Sequence, residues 1–267
     1  MTAVIGTAAV APLVAAAGVR AEQVTQLVLG ETASVLETAG EWLRVRCDID
    51  GYDGWVNQGY VRRVDDATAD RWRASAAGWS EEARVDVGGI TRSLPLRARV
   101  ALEGGDAVLP DGSRGRVLGG AIRPLAVVAT AALAVPPERW ALDHFGGTAY
   151  EWGGLTPWGV DCSGLVQTTF LARGLAVPRD SAEQAVFGDG VPLDAVEPGD
   201  LLFFRSESGS DRITHVAFAA EGGSLVHSTI ACGGVVCEPF IAGSRAGEAL
   251  RLRLVSARRF VARRPRR

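Results

Sequence analysis

Residues 150–165, Tyr150 to Leu165, read YEWGGLTPWGVDCSGL, and the turn inside this stretch decides the fold around it. Trp158-Gly159-Val160 lead into Asp161-Cys162-Ser163-Gly164, a sharp turn. Beyond it the spacing predicts a helix from Ser163 to Arg173, with Leu165, Val166 and Leu171 on one face and Gly174 ending it as a C′ glycine. Cys162 therefore stands at a helix start, among backbone N–H donors that lack helical acceptors and at the positive end of the dipole. Both favour thiolate over thiol.

A nucleophile needs a base, and the chain has three histidines: His144, His215 and His227. The run ITHVAFAAEGGSLVHSTI reads as two strands joined at Glu221-Gly222-Gly223. A loop centred on Glu221 sets His215 directly opposite His227 on one sheet face, with Cβ atoms about 5 Å apart. A loop of even length puts them on opposite faces. The expectation is a cysteine at a helix N-terminus facing a sheet that displays two histidines; His144 is read as structural.

An ordered set of short motifs extends this pattern. It comprises Tyr150 with Trp152-Gly153-Gly154, Asp161-Cys162-Ser163-Gly164, Pro178-Arg179-Asp180-Ser181, Pro198-Gly199-Asp200 before Leu201 to Phe204, Thr214-His215-Val216, and His227-Ser228. In order and spacing the set resembles the NlpC/P60 superfamily of papain-like cysteine peptidases, over roughly residues 136–260. A lone DCSG is weak evidence, whereas the ordered set is specific. The domain is expected to be α+β, helices first and then an antiparallel sheet.

Upstream, turns at Gly30-Glu31, Ala39-Gly40 and Asp50-Gly51 separate short strands at 10–14, 24–29, 33–37, 42–47, 54–56 and 61–64. The run GEWLRVRCDIDGYDGWV, opened by Arg20-Ala21-Glu22, resembles a bacterial SH3 domain. Residues 63–80 read as a linker with helical character. Residues 81–125 repeat the barrel rhythm more loosely, with strands at Leu94–Leu96, Ala98–Leu102, Gly115–Leu118 and Ile122–Pro124 and a turn at Pro110–Ser113. The fold class is thus multidomain: two small all-β SH3-like barrels, 1–66 and 67–128, followed by an α+β papain-like domain, 129–267. Helical character over 126–144 breaks at Pro136-Pro137, where a new helix starts.

The 267 residues carry a net charge of −3, and every basic side chain is arginine. That balance offers no general footing for nucleic acid. Arg251, Arg253, Arg258, Arg259, Arg263, Arg264, Arg266 and Arg267 crowd the end, read as a solvated strand and tail. Of the cysteines Cys47, Cys162, Cys232 and Cys237, none pairs at a zinc spacing; Cys232 and Cys237 are read as small buried residues of a reduced protein, with a bridge as the alternative. No basic residue precedes Arg20 in the apolar start, so a signal peptide's n-region is missing. The expected setting is cytoplasmic, with a secreted or periplasmic one as the alternative; no membrane partner is expected and the chain is read as a monomer.

The superfamily resemblance implies roles. Cys162 is the nucleophile, His215 the base and then acid, His227 the group that orients His215, and Tyr150 a donor to the oxyanion alongside the Cys162 N–H. Asp161 and Ser163 are read as turn residues and Asp200 as a turn or cap residue. Arg179-Asp180-Ser181 resembles the SH3-bearing γ-D-glutamyl-L-diamino acid endopeptidases. In these the aspartate binds the free α-amine of an N-terminal L-Ala and the serine supports the peptide. Glu22 and Tyr52 are the matching contributions of the first barrel, and Ser163 is a further substrate contact. The implied activity is hydrolysis of the γ-D-Glu–L-diamino acid bond of murein peptides in cell-wall recycling, with no metal or cofactor. A secreted hydrolase of intact wall, anchored by its SH3 domains, and a non-catalytic wall-peptide binder are the alternatives.

Overall fold

The computed structural model describes residues 2–261, so Arg263, Arg264, Arg266 and Arg267 of the expected basic tail lie outside them. The chain divides into two compact units, Met1–Val128 and Ala129–Arg267.

In the first unit, β1 (Thr2–Gly6), β2 (Val10–Val14), β3 (Gln23–Val28), β4 (Thr32–Ala39), β5 (Trp42–Cys47), β6 (Asp53–Asn57) and β7 (Val61–Asp65) form one antiparallel sheet in the order β3-β2-β6-β5-β4-β1-β7. The alternation that marks β5 buries Leu43, Val45 and Cys47 and exposes Arg44 and Arg46. Leu43, Val45, Leu13, Leu27 and Val56 make the core. The sequence reading has no strand at β1. Its residues from Ala3 to Gly6 are all buried, so they show no alternation to read.

Asp65 caps α1 (Asp66–Ser75), its carboxylate accepting from the Thr68 N–H at 2.7 Å. A second sheet follows, built from β8 (Gly78–Val87), β9 (Ile90–Ser93), β10 (Arg99–Glu103), β11 (Asp106–Val108) and β12 (Arg114–Pro124). Its order is β10-β11-β12-β8-β9, and β10 also pairs with β8, which closes a ring. Two expectations are corrected here. Residues 94–98 are a buried loop rather than strand, turned by a positive φ of 81° at Arg97. The two short strands expected over 115–124 are one strand, β12, bent by register shifts between Val117 and Gly119 and between Gly119 and Ala121.

The second unit takes in α3 (Pro137–Phe145), which follows α2 (Leu125–Ala132), then the small ladder of β13 (Leu155–Thr156) and β14 (Gly159–Val160), α4 (Cys162–Leu171) and α5 (Ser181–Gln184). Its sheet runs β15 (Asp189–Val191), β16 (Leu201–Arg205), β17 (Ile213–Ala220), β18 (Ser224–Thr229), β19 (Gly234–Pro239) and, after α6 (Gly247–Arg251), β20 (Leu254–Arg259). The spatial order is β15-β20-β16-β17-β18-β19. The α4 helix packs on β17 and β18, and all ten of its residues are buried. The expected single apolar face is therefore corrected: α4 is buried all round. Its polar side chains are satisfied inside, Thr168 Oγ1 donating to Leu155 O at 2.8 Å and Gln167 Nε2 to Val177 O at 3.2 Å. Each of Leu165, Val166 and Phe170 contributes about 1.5–3 kcal/mol by leaving water, which fixes the helix that carries Cys162. No single helix among the described residues is long and apolar enough to cross a bilayer.

Candidate active site

A buried ion pair sets the turn before Cys162. Asp161 is the N-cap of α4, and its Oδ1 accepts from the Gly164 N–H at 2.7 Å. Its Oδ2 accepts from the Gly153 N–H at 2.8 Å. Arg179 donates to both oxygens, at 3.1 and 2.6 Å, and to Ser163 Oγ at 2.8 Å. The Arg179 side chain is 1% exposed and that of Asp161 7%, so each charge depends on the other and on these hydrogen bonds. Asp161 is thus both the expected turn residue and an anion for Arg179. At Gly164 a Cβ would lie 2.0 Å from the Gly154 carbonyl oxygen, so only glycine lets the segment before the turn close onto α4. Ser163 holds the turn expected of it: its buried hydroxyl donates to Asp161 and accepts from Arg179.

Cys162 and His215 line one cavity of about 460 Å³, together with Tyr150, Thr214, Thr229, Arg245 and Arg253. Burial pushes the thiol up to about 12, aided by the Asp161 charge and opposed by the Val216 N–H, Arg179 and the Ser163 N–H. The helix start alone therefore does not make a resting thiolate; burial and the capping carboxylate outweigh it. His215 is held well below the ordinary histidine range by burial, then by His227 and the Arg253 charge. The two directions agree on a resting state of neutral thiol and neutral imidazole, with thiolate forming as a proton passes to His215.

The imidazoles form a relay. His215 Nε2 lies 2.9 Å from His227 Nδ1, and His227 Nε2 lies 2.9 Å from Glu238 Oε1. With His215 Nε2 engaged, its Nδ1 is the nitrogen left for the thiol proton. The hairpin register differs from the expected one. Phe218 pairs with Val226, Ala219 with Leu225 and Ala220 with Ser224, so the loop centres on Gly222 rather than Glu221. Gly222 and Gly223 take positive φ of 67° and 70° there. The shift makes His215 and His227 diagonal neighbours instead of direct partners. Because the loop is odd either way, they keep one face, and their ring centroids are 5.1 Å apart.

Tyr150 is half-buried on the cavity wall, and burial, then Cys162 and Asp161, raise its pKa, so its phenol keeps a proton to donate. His144 stacks on Trp140 with ring centroids 3.9 Å apart and bonds that residue's carbonyl. Asp180 is the exposed residue at the start of α5, where its carbonyl accepts from the Glu183 and Gln184 N–H groups. Its carboxylate makes no cap bond. Ser181 is buried, and neither residue lines the Cys162 cavity. Asp200 holds the expected turn, accepting from the Glu197 N–H at 2.8 Å, and also pairs with Arg259. In the first unit, Glu22 is exposed ahead of β3 and Tyr52 is half-buried in the turn between β5 and β6.

The cysteine expectation is corrected as well. Cys232 is half-buried and Cys237 exposed, and both are free thiols. Among the described residues no cluster of His, Cys, Asp and Glu is suited to a metal. The sequence reading missed Glu238, Arg245 and Arg253. Glu238 had a findable signal: on β19 it sits two residues from Val236, the cross-strand partner of His227, and so shares that histidine's face.

Comparison with known proteins bears on this geometry. The NlpC/P60 family matches residues 147–247, and the bacterial dipeptidyl-peptidase Sh3 domain matches residues 13–59. A gamma-D-glutamyl-L-lysine dipeptidyl-peptidase of Bacillus subtilis is 32% identical over 219 residues, 76% of this chain and 71% of that one. A protein of the same name from Bacillus cereus is 27% identical over 225 residues, 76% of this chain and 66% of that one. Among solved structures, an NlpC/P60 family protein from Bacillus cereus superposes with a TM-score of 0.77 at 20% identity, covering 96% of this chain and 99% of that one. That last likeness speaks to the fold alone.

Proposed function

The chain belongs to the NlpC/P60 family, a peptidase family, and from that premise we propose that it is a cysteine peptidase cutting the γ-D-Glu–L-diamino acid bond of short murein peptides. The observation that carries the reading is the shared cavity of Cys162 and His215, backed by the His215–His227–Glu238 relay. The relatives named as gamma-D-glutamyl-L-lysine dipeptidyl-peptidases support the choice of bond.

In this reading the Cys162 sulfur attacks the γ-amide carbonyl carbon while its proton passes to His215 Nδ1. The carbonyl oxygen becomes an oxyanion held by the Tyr150 hydroxyl and the Cys162 backbone N–H. The C–N bond breaks as His215 returns the proton to the departing amine, leaving a thioester. His215 then takes a proton from water, which attacks the thioester and frees the enzyme. Each step uses a side chain that lines the cavity.

Asp180 supplies the specificity. An exposed carboxylate at the start of α5 suits the free α-amine of an N-terminal L-Ala, a charge-assisted bond that an acylated terminus forfeits. Arg245 on the cavity wall suits a carboxylate of the leaving diamino acid. A free amine requirement suits peptides already released from the wall, and a recycling role inside the cell is part of this proposal. The test compares L-Ala-γ-D-Glu-L-Lys with its N-acetyl form. Preferential cleavage of the free-amine peptide is expected; equal rates remove the amine reading and leave the peptidase.

A further inference from the structure

Three contacts converge on one carboxylate. Glu238 is 8% exposed, deep for an acid. Its Oε1 takes the His227 Nε2 contact at 2.9 Å and has the Cys232 sulfur 3.9 Å away. Its Oε2 accepts from the Ala246 N–H at 3.2 Å. Ala246 is the residue that opens α6, and α6 residues line the catalytic cavity. The carboxylate is thus fixed at both oxygens, one on the relay and one on the cavity wall.

The relay has one self-consistent direction. A carboxylate only accepts, so His227 Nε2 must carry a hydrogen. That leaves His227 Nδ1 as an acceptor, and His215 Nε2 must then be the donor to it. His215 Nδ1 is left with a lone pair, the state a base needs. A neutral amide at the far end of such a chain could fix the tautomer equally well. Only a carboxylate also offsets the positive charge that His215 acquires when it takes the thiol proton.

We infer that Glu238 is a positioning residue of this reaction, ending the relay in a negative charge that fixes the His227 tautomer and stabilises imidazolium at His215. The inference rests on Cys162 and His215 acting as nucleophile and base, and it does not depend on which peptide is cut. The groups that face the histidines are Cys162 from α4, Tyr150, Glu238 from β19, and Arg253 with its partner Glu207, while Cys232 lies next to Glu238 and Arg245 acts on Cys232. Glu238 supplies the negative member of this set that touches the relay, and Arg253 opposes charge on His215.

The test reads alkylation of Cys162 by iodoacetamide against pH, which needs no peptide. With a neutral resting pair, the reactive form is the small thiolate–imidazolium fraction, and the acid limb reports protonation of the imidazole. Glu238→Gln keeps the shape and a hydrogen-bond acceptor but removes the charge. The plateau is expected to fall about tenfold and the acid limb to move down by about one pH unit, the same interaction read twice. Glu238→Asp is expected to recover part of both. An unchanged profile in Glu238→Gln overturns the inference, and so does a lower plateau with the limb unmoved, which marks a merely structural role. Nitrogen-15 NMR of the wild-type imidazoles decides independently of any variant's folding: hydrogen on His227 Nε2 is expected, and hydrogen on Nδ1 in its place overturns the inference. If the wild type alkylates as described yet leaves L-Ala-γ-D-Glu-L-Lys intact, the substrate reading fails and the role of Glu238 stands.

Discussion

Two buried arginine–carboxylate pairs, one in each unit, do different work with the same chemistry. Asp161 and Arg179, with side chains 7% and 1% exposed, meet one residue before the candidate nucleophile. Glu31 and Arg97, both 2% exposed, join the turn after β3 to the loop before β10. Around the second pair the backbone is equally committed. Glu31 also accepts from the Val28 N–H at 3.1 Å, and the Arg99 N–H donates to Leu29 O at 2.8 Å. A Cβ at Gly30 would lie 1.9 Å from the Arg99 carbonyl oxygen. The pair at Glu31 sews two sheets of the first unit together. The pair at Asp161 feeds hydrogen bonds into the first turn of α4, so its geometry is also the geometry of Cys162. What separates a structural ion pair from a catalytic support is the next residue along the chain, not burial.

That contrast can be broken most forcefully at Arg179. Arg179→Met leaves Asp161 buried without its cation, a loss of about 3–5 kcal/mol, and lets the turn relax. Peptide turnover per folded molecule is expected to fall at least a hundredfold, measured beside a denaturant titration. Arg97→Met is expected to cost a similar about 3–5 kcal/mol while kcat of the folded fraction stays at the wild-type value. A parallel collapse of kcat in Arg97→Met removes the distinction between the two pairs.

The sequence carried one of these pairs only in part. Asp161 was legible as a turn residue because an aspartate three residues before a glycine at a helix start is a local pattern. Its partner is 18 residues away, and no local rule links them. The hairpin shows the same boundary. The hairpin was legible, and an odd loop, which was assumed, puts the two histidines on one face as observed, but neither that parity nor the centre of the loop could be read locally, because both depended on which glycine took the left-handed backbone. Glu238 follows from pairing β18 with β19, a step the strand pattern permitted. The all-round burial of α4 was not legible because Thr168, Thr169 and Gln167 look like a polar face until tertiary acceptors satisfy them. Strand β1 was hidden for the complementary reason, being apolar on both faces.

Smaller effects sharpen the comparison within the catalytic unit. Asp180 is the charge beside the buried Arg179 that remains exposed. Asp180→Asn is expected to lower kcat/KM for the free-amine tripeptide about ten- to a hundredfold, the worth of one charge-assisted bond. On N-acetylated peptide it should change nothing, and an equal fall on both peptides assigns Asp180 to the scaffold of Arg179. Arg245 is exposed at the cavity wall. Arg245→Ala is expected to raise KM about two- to fivefold with kcat unchanged, as an exposed ionic contact allows. A lower kcat with KM unchanged removes it from substrate binding.

The most direct measurement is a product analysis by mass spectrometry. L-Ala-γ-D-Glu-L-Lys is incubated with the wild type and with Cys162→Ala. The wild type is expected to release the dipeptide L-Ala-γ-D-Glu and free lysine, and Cys162→Ala to release neither. Cleavage by Cys162→Ala at the wild-type rate, or release of free alanine in place of the dipeptide, contradicts the account.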